Sequence, residues 1–175
     1  MQARNPTGFR RWVVHMQAKV DLIVERSESD IYQKEMILVI DNKVLLEYEK
    51  HYFKLHPRAH KSPITQPYHP SINQWMIMKR PMMNALKQRW KDFMVWFVKY
   101  LGYENLGIQE CEMKFITYFK TKIRHDPDNH TPKFILDGLA ESGFIVDDDS
   151  KHLKKLTIEC GYDKENPRTE IIINY

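Results

Sequence analysis

The sequence predicts a single α+β domain, in which a mixed β-sheet is combined with one long helix and one short helix. The 175 residues are enough to form a core without disulfide or metal staples. Several segments alternate apolar and polar residues as strands do, whereas two others have the three- and four-residue apolar spacing of helices. No apolar run approaches the roughly 18 residues needed to cross a bilayer, so we expect a cytoplasmic protein with no membrane partner.

The N-terminal residues 1–34 are predicted to be an extension of unassigned role, and residues 35–175 are predicted to be the folded core. An amphipathic run from Val13 to Glu25 is compatible with a strand or a short helix.

The first predicted element of the core is a β-hairpin within Glu35–Glu49. Two apolar runs, Met36–Ile40 and Val44–Leu46, are separated by Asp41 and Asn42. This residue pair tolerates turn conformations, which favours two strands joined by a tight turn.

A basic segment follows, because His51–Lys91 contains eight Lys or Arg residues and no Asp or Glu. Its first half, Tyr52–Gln74, has four prolines and is predicted to be a long loop. A polyanion contact and a plain solvated face both explain such a charge run. On the polyanion interpretation, the candidate DNA contacts are Arg58, Lys61, Asn73, Lys79, Arg80 and Lys87, together with the later Arg124.

Four histidines, His51, His56, His60 and His69, also lie in the basic segment. His56 and His60 have the spacing to share a metal on a helix, but Pro57 lies between them and no cysteine pair accompanies them. Phosphate contact or simple solvent exposure is the preferred interpretation of these side chains.

The remaining elements are predicted from periodicity. Pro81–Tyr103 has a helical apolar stripe and a proline near its first turn. Glu110–Thr121 alternates as a strand does, and Leu153–Cys160 and Thr169–Asn174 are two further strands. Cys111 and Cys160 have no CxxC spacing and are expected to be reduced strand residues.

An acidic motif follows the strand that ends near Thr121. Asp126 and Asp128 lie two residues apart, so in an extended chain both carboxylates point to the same side. Asn129 is then a suitable start for a short helix over Thr131–Ser142. Pro132 in the first turn and Gly143 at the end are the residues expected at those places.

Two further features connect this helix to the acidic motif. Lys133 and Asp137 are four residues apart, so they share a helix face and can pair. The helix would be about 18 Å long. The chain after it must therefore run back antiparallel if Asp147 or Asp148 is to approach Asp126.

Converging carboxylates predict a Mg²⁺ or Mn²⁺ site, because hard oxygen ligands suit these ions and the ion offsets their repulsion. Such an ion, with Lys133 stabilising the added negative charge, would support phosphodiester hydrolysis. A structural turn at Asp126–Asn129 and an exposed turn or helix cap at Asp147–Asp149 remain alternatives. A calcium loop is excluded, because Thr131 and Asp137 stand where Gly and Glu are required.

The segment Arg124–Asp149 resembles the RusA family of Holliday junction resolvases, which are small phage and prophage endodeoxyribonucleases. The similarity comprises Asp-x-Asp-Asn, a following lysine, Asp-Gly-Leu in the helix, Gly-Phe at its end and an Asp-Asp pair. Pro70-Ser71-Ile72-Asn73 resembles the family's Pro-Ser-x-Asn. One residue more than in the family pattern separates Asn129 from Lys133, which would rotate the lysine by about 100° unless it is absorbed before the helix.

The resemblance implies metal binding by Asp126, Asp128 and Asp148, with Asp147 beside them, and a catalytic role for Lys133. It further implies a homodimer in a bacterial or phage-infected cell that cuts a four-way DNA junction symmetrically. Two other functions stay open from the residues alone. One is a nuclease for flaps or other branched DNA without junction preference, and the other is a non-catalytic protein that binds DNA structures.

Overall fold

The computed structural model describes residues 34–175. The predicted element Val13–Glu25 and nearly all of the N-terminal extension lie outside the described residues. Within the described part of the chain, no helix is long and apolar enough to cross a membrane.

Four strands form one mixed sheet in the order β1-β4-β2-β3. The strands are β1 (Glu35–Asp41), β2 (Cys111–Phe119), β3 (Leu153–Tyr162) and β4 (Arg168–Asn174). β4 is antiparallel to both β1 and β2, whereas β2 and β3 are parallel. The α+β class and the mixed sheet are thus confirmed, and Cys111 and Cys160 are free cysteines in β2 and β3.

The helices are α1 (Asn42–Leu55), α2 (Ile72–Trp75), α3 (Arg80–Tyr100) and α4 (Lys133–Glu141). A 3-10 helix, Pro127–His130, lies between β2 and α4. The parallel pair β2 and β3 requires a crossover connection, and α4 is the helix of that crossover.

The core lies between the sheet and the helices. Alternate residues of β2 are buried, and Met113 and Phe115 pair with Ile173 and Ile171 of β4. Phe93 and Phe97 of α3 are also fully buried, at the three- and four-residue spacing that predicted this helix. Burial of each such side chain contributes roughly 1.5–3 kcal/mol.

The predicted hairpin at Glu35–Glu49 is wrong, because β1 leads directly into α1. The Asp41 carboxylate accepts a hydrogen bond from the Val44 amide at 2.9 Å, so Asp41 caps the helix instead of starting a turn. Leu45 and Tyr48, three residues apart, then bury one face of α1.

The long loop predicted over Tyr52–Gln74 is correct only in its middle. The helix α1 continues to Leu55, and α2 begins at Ile72. The residues between these helices have no regular helix or strand, as their prolines predict. His69 in this loop is 4% exposed, so the expectation of solvent or phosphate contact is wrong for this histidine.

The start of the short helix also differs from the prediction. Asn129 lies inside the 3-10 helix, and α4 begins at Lys133 after the N-cap residue Pro132. The residues between Asn129 and Lys133 therefore precede the helix and do not alter its internal register. Gly143 follows the end of α4 with a φ of 70°, as its predicted role at the helix end requires.

The helix α4 packs closely on α3 through Gly138. A Cβ at this position would lie 2.5 Å from the Cβ of Met94, which is closer than two carbon atoms can approach. Lys91 of α3 also forms an ion pair with Glu141 of α4. The position of α4, and of the side chains on its first turn, is thus set by α3.

Candidate active site

A pocket of about 420 Å³ lies beyond the end of β2, between the 3-10 helix and residues 66–74. Its lining is mainly polar and aromatic. The lining residues are Gln66, Tyr68, His69, Ser71, Asn73, Gln74, Phe119, Thr121, Arg124, His125, Asp126, Asn129 and His130. Of the predicted site residues, Asn73, Arg124 and Asp126 are therefore in one place.

The pocket wall around α2 is held by a capping box. The side chain of Gln74 accepts a hydrogen bond from the Ser71 amide at 3.0 Å, and the Ser71 side chain accepts from the Gln74 amide, whose bond to the Ser71 carbonyl is 3.0 Å long. Asn73 lies inside this single turn and is exposed. The short helix thus presents Asn73 at the pocket with a fixed backbone.

Two histidines, His125 and His130, belong to the aromatic part of the pocket lining. The His125 ring stacks on Phe119 with centroids 3.6 Å apart, and its Nδ1 lies 3.2 Å from Nε2 of His130. Burial and the neighbouring His125 lower the pKa of His130, while Asp128 raises it. The other ring nitrogens, Nε2 of His125 and Nδ1 of His130, are buried without a hydrogen-bond partner among the described residues.

Asp126 and Asp128 occupy different positions on the 3-10 turn. Asp126 lines the pocket, and its Oδ1 lies 3.3 Å from Nε of Arg124, in a pair too exposed to add much stability. The Asp128 carboxylate accepts a hydrogen bond from the Asn129 amide at 3.0 Å. The Asp128 carbonyl accepts another from Thr131 at 3.0 Å. The motif is therefore a structured turn that also places Asp126 at the pocket.

A second group of predicted site residues, called the α4 group, lies around the first half of α4 and comprises Lys87, Lys133, Asp147 and Asp148. Nζ of Lys133 lies 4.0 Å from Oδ1 of Asp137. Nζ of Lys87 lies 2.9 Å from Oδ2 of Asp137, so the two side chains form an ion pair. The angles at these atoms are not those of a hydrogen bond, and the buried Oδ2 has no hydrogen-bond partner among the described residues. Partial burial and the Asp137 carboxylate raise the pKa of Asp148, whereas Lys133 lowers it. The Asp147 carboxylate accepts a hydrogen bond from the Asp148 amide at 2.8 Å.

Asp149 behaves differently from the two aspartates before it. Its Oδ1 accepts hydrogen bonds from the Lys151 and His152 amides at 2.8 and 3.1 Å, and lies 2.7 Å from the His152 ring. The His152 contact lowers the pKa of Asp149. Asp149 is thus a turn residue, which is the structural alternative considered for this segment.

The donor chemistry of these carboxylates suits a hard divalent cation, but the side chains do not converge. Within residues 34–175, no group of three or more His, Cys, Asp or Glu side chains is placed to hold a metal ion. Partial burial is the main cause of the raised pKa of Asp148, and the nearby Asp137 carboxylate raises it further. Asp126 faces the pocket and does not complete a ligand shell with Asp147 and Asp148.

Comparison with known proteins does not assign this chain to a family. No protein-family model matches the chain, and no curated protein matches its sequence. The resemblance of Arg124–Asp149 to RusA proteins therefore stays a prediction from short motifs. The function has to be inferred from the chain's own side chains and their arrangement.

His69 lies between the pocket and the α4 group, and its role was missed by the sequence analysis. Its Nδ1 donates to the Pro70 carbonyl at 2.7 Å, and its Nε2 accepts from the Phe134 amide at 3.1 Å. Burial lowers the pKa of His69 to about 4, so the ring is neutral at pH 7. His130 also lowers the pKa of His69, whereas Asp137 raises it.

The predicted DNA contacts divide into three sets. Exposed basic side chains away from the pocket lining are Arg58, Lys61, Lys79 and Arg80. Asn73 and Arg124 line the pocket itself. Lys87 pairs with Asp137, so it contributes charge to the α4 group.

Proposed function

We propose that the protein is a Mg²⁺- or Mn²⁺-dependent endodeoxyribonuclease that resolves four-way DNA junctions by paired, symmetric phosphodiester hydrolysis. The observation that carries this proposal is the composition of one pocket. Ser71 and Asn73 from the first RusA-like motif line it together with Asp126 and Asn129 from the second. Two motifs far apart in the sequence thus face one polar cavity, which is typical of a binding or catalytic site.

The charges around the pocket support a phosphodiester substrate. Arg124 lines the pocket with its side chain 92% exposed, and the exposed Lys79 and Arg80 follow α2 in the chain. These cations attract a phosphate backbone, whereas the carboxylates alone would repel it. A cation bound by the carboxylates would remove that repulsion, so the metal and the nucleic acid support each other's binding.

The proposed ligands of the metal are Asp126, Asp128 and Asp148, with Asp147 beside them, and these side chains would have to come closer together than they lie here for one ion to bind them all. A Mg²⁺ ion held by these carboxylates would supply an activated water molecule and would polarise a phosphoryl oxygen. Lys133, as a point charge on the first turn of α4, stabilises the negative charge that develops on the phosphate during attack.

Paired cutting requires two active sites, and we propose that a two-fold homodimer provides them. A closed two-fold dimer matches the two-fold symmetry of a four-way junction. One site per protomer would then nick opposed strands and leave 5′-phosphate ends that a ligase can seal.

A non-catalytic DNA-structure-binding protein is the second candidate. It is favoured by the separation of the carboxylates, since no metal-holding group is formed among residues 34–175. In such a protein the pocket and the basic side chains would bind branched DNA. Asp126→Asn would then leave binding intact or tighten it, because it removes a negative charge.

The deciding experiment compares a synthetic four-way junction with a flap and a matched linear duplex in Mg²⁺, Mn²⁺ or EDTA. Wild type is tested beside Asp126→Asn and a control, Asp92→Asn, which alters an exposed aspartate on α3. We expect paired nicks in the junction alone, lost in EDTA and in Asp126→Asn but kept in Asp92→Asn. Equal cutting of the flap would replace the resolvase by a general branched-DNA nuclease. Binding without cutting under every metal would leave only the binding protein.

A further inference from the structure

The pocket wall formed by residues 66–74 is anchored to three elements through three consecutive residues. The Pro67 carbonyl accepts a hydrogen bond from the Thr169 hydroxyl of β4 at 2.8 Å. The Tyr68 ring packs edge-on against Phe119 of β2, with centroids 5.0 Å apart. His69, the third residue, accepts its hydrogen bond from α4. This irregular segment is therefore held in place by buried contacts, as an irregular chain inside a fold must be.

The bond from α4 to His69 satisfies a helix-terminal donor. Phe134 is the second residue of α4, so its amide has no acceptor within the helix. Pro132 at the N-cap has no side chain that could accept this bond. Nε2 of His69 accepts it from 65 residues away, at 3.1 Å. The helix thus obtains its cap from the pocket wall.

The surroundings of the imidazole fix which nitrogen carries the proton. The Pro70 carbonyl accepts from Nδ1 at 2.7 Å, which leaves the lone pair of Nε2 free for the Phe134 amide. The rings of Phe134 and Trp90 pack on the imidazole with centroids 4.8 and 5.6 Å away. His69 is therefore held in one tautomer and one orientation.

We propose that His69 is a positioning residue, which sets the place of Lys133 relative to the pocket by binding the first turn of α4. Lys133 directly precedes Phe134 in the chain, and Ser71 and Asn73 of the pocket lining follow His69 closely. The catalytic part of this role rests on the proposed nuclease function. His69 itself touches neither the DNA nor the metal in this role.

The proposal predicts a loss in kcat rather than in KM. A displacement of about 1 Å in a catalytic group lowers the rate on the order of 10²-fold. All of the candidate DNA contacts except Asn73 lie outside the segment 66–74, so KM should change much less than kcat. We therefore expect a roughly 100-fold lower kcat when the bond to Phe134 is removed.

Two conservative variants separate the hydrogen bond from the volume of the side chain. In His69→Gln the amide oxygen can reach the place of Nε2, whereas in His69→Asn the side chain is too short to accept from the Phe134 amide. The readouts are kcat and KM for junction nicking, and hydrogen exchange of the Phe134 amide. We expect the asparagine variant to lose kcat and Phe134 protection, and the glutamine variant to restore both to within several-fold of wild type.

A double-mutant cycle with Lys133→Met tests whether His69 acts through the lysine. The effect of His69→Asn on kcat should largely vanish in the Lys133→Met background, because the group being positioned is gone. Additive effects would overturn the proposal. Equal losses in the glutamine and asparagine variants would also overturn it, since they would assign the effect to ring packing.

A measurement on the wild type keeps the proposal testable if a variant does not fold. The ¹⁵N shifts of the His69 ring should show a protonated Nδ1 and an unprotonated Nε2 at pH 7, and the opposite tautomer would overturn the proposal. If wild type cuts no DNA with any metal, the proposed function and the positioning role are both overturned. The ¹⁵N shifts and the Phe134 exchange would then still establish the bond itself, so the two failures are distinguishable.

Discussion

The two groups of candidate site residues are held by the fold in different ways. Asp126 is on a turn outside the sheet, with its side chain 55% exposed and an exposed arginine as its partner. Asp137 and Asp148 lie near the start of α4, where the Asp137 side chain is 17% exposed and pairs with lysines from two helices. The Asp126 carboxylate in the pocket is thus accessible to substrate, whereas the carboxylates near α4 concentrate charge in a more enclosed place.

The difference follows from the local structure of each group. The turn at Pro127–His130 is held mainly by local hydrogen bonds, to the Asn129 amide and to the Asp128 carbonyl. The helix α4 is fixed by close contact with α3 through Gly138. A nuclease needs both properties, because substrate must reach the metal and the charged groups must stay in place. The variants below test whether the two groups act together.

The largest expected effect is the loss of cutting when either group is altered. Asp126→Asn in the pocket and Asp148→Asn near α4 should each reduce single-turnover junction nicking by roughly 10³-fold or more, since each removes a proposed metal ligand. Asp149→Asn is the matched control, because Asp149 binds its own turn and His152. Loss in only one of the two variants would show that the groups do not share one reaction.

The next effect concerns stability and tests how α4 is held. Gly138→Ala should lower the free energy of unfolding by roughly 1–3 kcal/mol, because the new Cβ would overlap Met94. This loss exceeds the roughly 1 kcal/mol that alanine gains over glycine inside a helix. Urea unfolding measures it, and Lys133→Ala on the exposed first turn should change stability by less than about 0.5 kcal/mol. A stabilised Gly138→Ala protein would show that α3 does not fix α4.

Periodicity predicted the elements that are buried on one face. The helix α3 and the strands β2, β3 and β4 lie where apolar spacing placed them, within a few residues at each end. The segment after β1 was wrong for a specific reason. Asp41 and Asn42 suit a turn, but a turn and a helix cap both use an aspartate bonded to nearby amides. Helical spacing of Leu45 and Tyr48 was the signal that separates the two.

The candidate site was predicted only in part. Asp126, Arg124 and Asn73 share a pocket, and the positions of Asp126 and Asn73 in RusA-like motifs pointed to a site. His69 was not recognised, because its partner is the Phe134 amide, 65 residues further along the chain. A contact of that separation depends on the packing of α4 and leaves no local pattern. The approach of Asp148 to Asp137 depends on the same packing of α4, so it left no local sequence pattern either.

The stability that His69 contributes, between the pocket and α4, is expected to depend on pH. Burial lowers the pKa of His69 to about 4 in the folded protein, against 6.5 for an ordinary histidine. The neutral ring therefore contributes its full stability above pH 6.5, and this contribution is lost as the pH falls towards 4. Urea unfolding at pH 7 and pH 4.5 should show a larger decrease for wild type than for His69→Gln. Equal decreases would mean that His69 is not linked to folding in this way.

The smallest expected effect concerns the basic side chains outside the pocket. Lys79→Ala removes one exposed charge at the start of α3, so the Kd for junction DNA should rise a few-fold and the salt slope should fall by about one. Lys50→Ala is the control, because Lys50 lies on α1 and pairs with Glu47. Binding is measured in EDTA from low to high salt, so that cutting does not interfere. An unchanged slope for Lys79→Ala would move the DNA path away from the start of α3 and leave Arg124 and Asn73 as the contacts that connect DNA to the pocket.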